Sequence, residues 1–330
     1  MNYQMTYHGT SPACCTTRSL CTSSKEVSIL PFTKNGIAYT EANLTASVKA
    51  ENNRCKDIPK LERLIEKSWI CYTEKNPTLV NKLKFRLHTA EDDEENGVTH
   101  LHLGLTNCKE HLGTNCLLFP HDLRQLQTLG VLNNCDRRSY FAQWLGVGAL
   151  ILTPEKKYIF LRRSCECCEM RPLLDRASGC PDPEKVRLEP GECDLAKATS
   201  EDLVHEIFAS VLRGITHEVG IPGDAIEDIE FLGLTFCKIK GERPTAEFHV
   251  KTPWPTQKII WNYMNRRHKL CYNSCNIIFT SEEEVRNTPL NHSMFFKGLA
   301  PCGKGAILLL REQIRQLKEV ERERARGPKV

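Results

Sequence analysis

One stretch of this chain, residues 200–220, constrains the fold more than any other. Its apolar residues recur at every fourth position, which places them on one face of an α-helix; they are Leu203, Ile207, Val211, Ile215 and Val219. Ser200 is the predicted N-cap, and two acids follow it in the first turn. Gly220 ends the helix and Pro222 prevents its continuation. The chain is therefore built around a helix with one buried face.

The polar side of this helix carries ionisable side chains. At about 100° per residue, Glu206, Arg213 and His217 lie near one line together with Ser210, and Glu218 lies about 100° further round. Carboxylates near one surface suit a hard divalent cation, with the arginine offsetting part of their charge. A helix whose outer face is merely solvated would show the same spacing. Both interpretations remain open on spacing alone.

Periodic segments flank this helix on both sides. Strands are predicted at 27–32, 37–42, 83–88, 99–105, 146–153, 158–164, 229–236, 245–252 and 275–281. Helices are predicted at 60–72, 121–132, 139–146, 257–267 and from Lys304. Strands around a helix that presents acids, with a second helix near the end of the chain, indicate an α/β/α sandwich with a mixed sheet.

Charge and hydropathy exclude several classes of function. The 45 Lys and Arg residues are interspersed among 41 Asp and Glu residues, so the basic stripe typical of a nucleic-acid-binding protein is missing. No apolar run approaches the ~18 residues that span a bilayer. The first 30 residues also lack the apolar segment of a secretory signal. We expect an intracellular protein, cytoplasmic or nuclear, that binds neither nucleic acid nor membrane; the sequence indicates no particular protein partner.

The 17 cysteines allow two interpretations. In a long chain without a secretory signal, they are predicted to be reduced thiols rather than a disulfide scaffold. The densest group is Cys165, Cys167 and Cys168, followed by Cys180 and Cys193 at irregular intervals. This spacing lacks the second pair of a zinc ribbon. A metal-binding cluster at 165–193 remains the alternative.

A short motif at the end of the central helix adds a family resemblance. Residues 212–221, LRGITHEVGI, resemble the second half of the Nudix box, Arg-Glu-φ-X-Glu-Glu-X-Gly-φ, in which φ is aliphatic. Gly214 and His217 stand where glutamate is expected, and the matching residues are Arg213, Ile215, Glu218, Gly220 and Ile221. Segments at 83–90, 103–115, 145–164, 203–212, 245–250 and 302–310 resemble, in the same order, the uridine diphosphate glucose pyrophosphatases of the Nudix family. The resemblance runs from about Glu26 to about Arg311.

The resemblance implies a fold and a division of the chain. We expect a Nudix-type α/β/α sandwich with a mixed sheet over residues 141–318, and a smaller N-terminal α+β domain over 26–140. A flexible tail, 1–25, precedes them and a charged end, 319–330, follows. The smaller domain is expected to contribute to the substrate cleft.

The resemblance also implies a reaction. Water cleaves the diphosphate of UDP-glucose to give UMP and glucose 1-phosphate, with Mg²⁺ or Mn²⁺ as cofactor. In the family, two glutamates one helical turn apart bind the metal, and here they fall on Gly214 and Glu218. Gly214 has no side chain to bind a metal, so His217 and Glu247 join Glu218 as the candidate metal ligands. The candidate catalytic residues are Glu218, Glu206 and Arg213.

Substrate contacts are implied between residues 163 and 182. Arg163 and Asp175 match substrate-contacting residues of the family, and Asp182 replaces a glutamate there. The Pro-Gly-Gly-His turn of the family reads Ala-Ser-Gly-Cys at 177–180, and Cys108 replaces a tyrosine expected to stack on the base. Two functions remain open. One is a metal-dependent nucleotide-sugar diphosphatase, whose rate Gly214→Glu is expected to raise. The other is a weak or inactive Nudix protein that binds nucleotide sugars or a protein partner.

Overall fold

The computed structural model describes residues 25–34, 36–117, 119–164, 173–188, 194–266, 274–290 and 292–326. The strands are β1 (Val27–Pro31), β2 (Thr33–Lys34), β3 (Ile37–Ala38), β4 (Leu44–Val48), β5 (Leu83–Asp93), β6 (Val98–Asn107), β7 (Gly146–Leu152), β8 (Lys157–Arg163), β9 (Leu174–Asp175), β10 (Ala177–Gly179), β11 (Asp228–Cys237), β12 (Arg243–Lys251) and β13 (Ser274–Ser281). The helices are α1 (Pro59–Lys75), α2 (Cys108–Thr114), α3 (Pro120–Asn134), α4 (Ser200–Glu218), α5 (Thr256–Arg266), α6 (Glu282–Asn287), α7 (Met294–Lys297) and α8 (Pro301–Arg326).

The large sheet runs in the order β1-β11-β12-β7-β8-β13, with β9 and β10 paired beside β8 and β7. Strand β12 pairs with β7 in parallel, while its other neighbour, β11, is antiparallel, so the sheet is mixed. Alternate residues of β7 face opposite sides. Ala149 and Ile151 pack in the same cluster as the apolar face of α4, and Leu150 packs in the cluster of α8. The predicted α/β/α sandwich is confirmed.

A smaller three-stranded sheet, in the order β4-β6-β5, lies against this sandwich. Its Phe85 and Leu103 belong to the same core cluster as α4, so the two sheets share one core. Helices α1 and α3 pack in a separate cluster through Leu61 and Leu126. Strand β1 falls within the segment predicted as the N-terminal domain, but it pairs with β11 in the large sheet.

Three local predictions were wrong. The strand predicted at 37–42 is reduced to β3, and Glu41–Asn43 form a 3₁₀ turn. Residues 139–146 form no helix. They are an irregular segment in which Tyr140, Phe141 and the polar Gln143 are all completely buried, so the segment lacks the exposed face of an amphipathic helix. The N-cap of α4 is Thr199, whose side chain accepts a hydrogen bond from the Asp202 amide at 3.1 Å. Ser200 instead accepts a hydrogen bond from the amide of Ala46, at 2.9 Å, and ties α4 to the small sheet.

Some predictions fall on residues that the structure does not describe. They include residues 1–24 of the predicted tail and, in the cysteine-rich segment, residues 165–172 and 189–193. The described part of the chain contains no helix that is long and apolar enough to cross a membrane. It also contains elements that the sequence pattern missed, of which the longest are β4 and α2.

Candidate active site

A cavity of about 360 Å³ lies where the last turn of α4, the end of β8, the β9–β10 segment and the first turn of α8 meet. Within the described ranges, its lining includes four cationic side chains, those of Arg163, Arg176, Lys240 and Arg243. Two carboxylates, Asp175 and Glu218, also line it. This excess of positive charge suits a ligand with several negative charges.

Arg163, the last residue of β8, bridges both carboxylates of the cavity. Its Nη1 donates to Glu218 Oε1 at 2.8 Å, and its Nη2 donates to Asp175 Oδ2 at 3.2 Å and to Ser178 Oγ at 2.6 Å. Burial alone would lower the pKa of Arg163, but the charges of Glu218 and Asp175 outweigh it and raise the pKa above its ordinary value. The guanidinium is therefore a permanent cation, held with its planar fork in the cavity wall.

Glu218 is the last residue of α4, and the end of the helix fixes its position. Gly220 follows with φ of +89° and bonds through its amide to the Ile215 carbonyl at 3.1 Å. The second oxygen of Glu218, Oε2, accepts a hydrogen bond from the Ser178 amide at 2.8 Å. Both carboxylate oxygens therefore already accept hydrogen bonds, and the residue is only 6% exposed.

A second ion pair lies behind the first. The Arg176 Nε and Nη2 atoms donate to the two oxygens of Glu247, at 2.9 and 2.8 Å, while its Nη1 donates to Asp175 at 2.9 Å. Burial would lower the pKa of Arg176, but Asp175 and Glu247 raise it well above its ordinary value. Glu247 also accepts from Thr235 at 2.8 Å, is fully buried, and is not among the residues that line the cavity.

Gly214 lies where α4 crosses β10 at close range. A Cβ atom at this position would lie 2.6 Å from the Ser178 carbonyl oxygen, which is closer than real Cβ contacts. Gly179 has the same role from the other side, since its Cβ would lie 2.8 Å from the Ser210 carbonyl oxygen. The expectation that Gly214→Glu supplies a metal ligand therefore conflicts with the packing of α4 on β10.

The structure separates the remaining predicted residues into two groups. Arg163, Asp175, His217 and Glu218 all line the cavity. The other four are outside the lining. Arg213 pairs with Glu206, and Glu206 also accepts a hydrogen bond from the Asp182 amide at 2.7 Å. Asp182 caps a short 3₁₀ turn, and Glu247 pairs with Arg176. Cys108 begins α2 and is likewise absent from the cavity lining.

The cavity does not fit the metal site that the sequence led us to expect. Across the described ranges, no group of three or more His, Cys, Asp or Glu side chains could hold a metal ion. Mg²⁺ needs oxygen ligands in near-octahedral geometry. Here the oxygens of Glu218 are bonded to Arg163 and Ser178, and those of Glu247 to Arg176 and Thr235.

Sequence reasoning missed part of the cavity wall. Arg176, Lys240, Arg243 and Trp144 come from turns and strand ends with no periodic pattern. Trp144 forms a bridge with Arg86 of the small sheet, and its buried Nε1–H has no acceptor among the described residues. A buried donor that is left unpaired is costly, and it is available to a ligand in the cavity.

Comparison with known proteins gives relatives over most of the chain. It is 32% identical over 269 residues to the uridine diphosphate glucose pyrophosphatase NUDT22 of Bos taurus, covering 79% of this chain and 90% of the relative. It is 30% identical to the protein of that name from Homo sapiens, covering 83% and 89%. It is 28% identical to Nudix hydrolase 9 of Arabidopsis thaliana, covering 66% of this chain and 71% of the relative. Among solved structures, the NUDIX domain of Shewanella oneidensis NrtR, complexed with ADP ribose, matches with 16% identity and a TM-score of 0.31, covering 57% of this chain and 96% of that one. No protein-family model matches the sequence.

Proposed function

The chain belongs to the Nudix hydrolase family, and from this premise we propose that it hydrolyses the diphosphate of a nucleotide sugar. The proposed substrate is UDP-glucose and the proposed products are UMP and glucose 1-phosphate, in keeping with the names of its relatives. The observation that carries the proposal is the cationic cavity, in which Arg163 holds Glu218 and Asp175.

The cations give the diphosphate its binding site. Guanidinium groups match phosphate oxygens with two parallel donors, so Arg163 and Arg243 are suited to bind the two phosphates, while Arg176, bonded to Glu247 and Asp175, adds its positive charge behind them. Lys240 adds a fourth positive charge to the lining. Fixed cations of this kind also stabilise the negative charge that builds on the leaving phosphate as the bond to it breaks.

Glu218 is the proposed group that orients the attacking water. When Arg163 donates to a phosphate instead, Glu218 Oε1 loses its 2.8 Å partner, while the Ser178 amide still holds Oε2. A carboxylate held in this way can accept a proton from water in the transition state. Kinship implies Mg²⁺ or Mn²⁺ as cofactor, but a metal would have to displace Arg163 from Glu218.

A second candidate function is binding of a nucleotide sugar without hydrolysis. Two observations favour it. Both oxygens of Glu218 already accept hydrogen bonds, from Arg163 and from the Ser178 amide. The second metal-binding glutamate of the family is replaced by Gly214. The protein would then hold the diphosphate through its arginines and release it unchanged.

One assay separates the two candidates. The full-length protein is incubated with UDP-glucose in Mg²⁺, in Mn²⁺ and in EDTA, and release of UMP is followed. Release of UMP is expected in at least one of the three arms, and Glu218→Gln should lower its rate at least 100-fold because the group that orients water is lost. Glu201→Gln, at an exposed position of the same helix, is the control and should leave the rate unchanged. Calorimetric binding with no release in any arm would favour the binding protein, and absence of both would contradict both candidates.

A further inference from the structure

Two cysteine side chains meet in the cavity wall. Cys237 is the last residue of β11 and Cys302 lies in the first turn of α8, and both line the cavity. The two thiols are close enough to shift each other's pKa, that of Cys237 upward and that of Cys302 downward. Thr245 Oγ1 lies 3.7 Å from the same sulfur. Neither cysteine is part of a disulfide. Two thiols in the wall of one cavity are the groups from which thiol–disulfide chemistry forms a disulfide.

The surroundings assign different roles to the two sulfurs. The neighbouring Cys237 thiol lowers the pKa of Cys302, and the charges of Arg176 and Arg243 lower it further, against the opposing effects of burial and Asp175. The interaction with Cys302, together with burial, raises the pKa of Cys237 well above its ordinary value. Cys302 also benefits from the positive end of a long helix. The negative charge therefore lies on Cys302, and Cys237 keeps its proton.

We propose that Cys302 and Cys237 form an oxidation site that reacts with hydroperoxides. The Cys302 thiolate attacks one oxygen of the hydroperoxide, the O–O bond breaks, and hydroxide or alkoxide leaves, so that Cys302 becomes a sulfenic acid. The Cys237 thiol then attacks that sulfur, forming the disulfide and releasing water. In total, two thiols reduce one hydroperoxide to water or alcohol and are themselves oxidised to one disulfide.

The exposure of the two side chains supports this order of events. Cys302 is partly exposed within the cavity, where a small oxidant can reach it, whereas Cys237 is only 4% exposed. Cys180 lines the same cavity, whereas Cys71 is exposed on α1 and is not part of the cavity lining. Cys180 therefore serves as the control for a thiol that oxidants reach through the cavity, and Cys71 as the control for a thiol at the surface.

Oxidation also changes the charge of the cavity. The thiolate of Cys302 offsets part of the positive charge of Arg176 and Arg243, and the disulfide carries no charge. This consequence depends on the proposed anion-binding role of the cavity, whereas formation of the disulfide does not. We expect the oxidised protein to bind inorganic pyrophosphate several-fold more tightly than the reduced protein.

Peptide mass spectrometry tests the proposal directly. The reduced full-length protein is treated with hydrogen peroxide, remaining thiols are alkylated, and the digest is analysed with and without dithiothreitol. The expected product is a cross-linked peptide pair containing Cys237 and Cys302, formed before Cys71 is modified and lost on reduction. Cys180→Ser should leave this product unchanged. In Cys237→Ser the product is absent, and Cys302 should be trapped as a sulfenic acid by dimedone.

Three results would overturn the inference. Cys302 could stay fully alkylatable at peroxide concentrations that oxidise Cys71. It could form its disulfide with a cysteine other than Cys237. Cys237→Ser could fail to give a dimedone adduct at Cys302. The charge consequence is tested separately, by calorimetry with pyrophosphate in EDTA, and equal or weaker binding by the oxidised protein would contradict it while leaving the disulfide result intact.

Discussion

Gly214 shows how a single residue can be misread from a motif. In the sequence it is the place of a missing carboxylate, whereas in the structure it is the contact point of α4 with β10. The Ser178 carbonyl occupies the space that any larger side chain would need. The same close approach brings the Ser178 amide to Glu218 at 2.8 Å, so the glycine helps to position the carboxylate that remains.

We predict that Gly214→Ala destabilises the protein, although alanine is the better helix former by ~1 kcal/mol. Overpacking against the Ser178 carbonyl should cost about 1–3 kcal/mol and lower the thermal midpoint. Gly223→Ala is the matched control, because its Cβ would lie at an ordinary 3.6 Å from Leu212 and should change stability little. Differential scanning fluorimetry compares the two. A Gly214→Ala variant as stable as the wild type would contradict the packing argument.

Asp175 gives a prediction about pH. Burial would raise its pKa, but Arg176 and Arg163 outweigh burial and lower it. A carboxyl group with a lower pKa in the folded state adds stability above its unfolded value of ~3.9 and loses it as the pH falls through the folded value. The wild type should therefore lose stability on acidification from about pH 5 to pH 3, as measured by its thermal midpoint.

The matched variants isolate this carboxyl group. Asp175→Asn should be less stable than the wild type at pH 5, and its midpoint should fall less between pH 5 and pH 3. Asp228→Asn removes a more exposed carboxylate, which is paired with Lys251. Its thermal midpoint should fall between pH 5 and pH 3 by as much as that of the wild type. If the midpoint of Asp175→Asn falls as much as that of the wild type, Asp175 is not the group whose protonation destabilises the protein in acid.

At the scale of elements, the ion pair of Arg176 and Glu247 joins β12 to the segment between β9 and β10. The two residues lie 71 positions apart, and Gly148 of the neighbouring strand β7 leaves room for them, since a Cβ there would clash with both. A buried charge that loses its partner typically costs 3–5 kcal/mol, whereas replacing both partners by apolar residues can be nearly neutral.

A double-mutant cycle tests this link. We predict that Glu247→Leu and Arg176→Met each destabilise the protein by about 3–5 kcal/mol, and that the double variant is more stable than either single one. Chemical denaturation of the four proteins provides the comparison. Additive losses would mean that the two side chains are not coupled.

Elements with one buried face were predictable from the sequence, and the parts that lack such a face were not. Helix α4 and strand β6 are long and periodic, and the structure has them close to their predicted bounds, whereas β5 extends five residues beyond its predicted end, to Asp93. Residues 139–146 were mistaken for a helix because they are buried on several sides. Arg163, Asp175 and Glu218 were predicted from the resemblance and His217 from its place on α4, and all four line the cavity. Lys240 and Arg243 were missed because only the folded chain brings β11 and β12 to this place.

At the scale of the whole molecule, the cavity depends on both sheets. The small sheet supports it through the bridge between Arg86 and Trp144, and Lys84 of β5 lies 5.4 Å from the Trp144 ring centre. The net charge of the chain is only +4, yet the described lining of the cavity has twice as many cationic side chains as carboxylates. Positive charge is therefore concentrated where the diphosphate is proposed to bind.

Binding of UDP-glucose to arginine variants tests the central claim most directly. Isothermal titration in EDTA compares the wild type with Arg163→Ala and with Arg162→Ala, whose exposed side chain is the next one along β8. We predict that Arg163→Ala weakens binding at least 10-fold, because it removes a charge-assisted contact worth about 1.5–3 kcal/mol, while Arg162→Ala binds like the wild type. Equal affinity of the Arg163→Ala and Arg162→Ala proteins would contradict the assignment of this cavity as the diphosphate site.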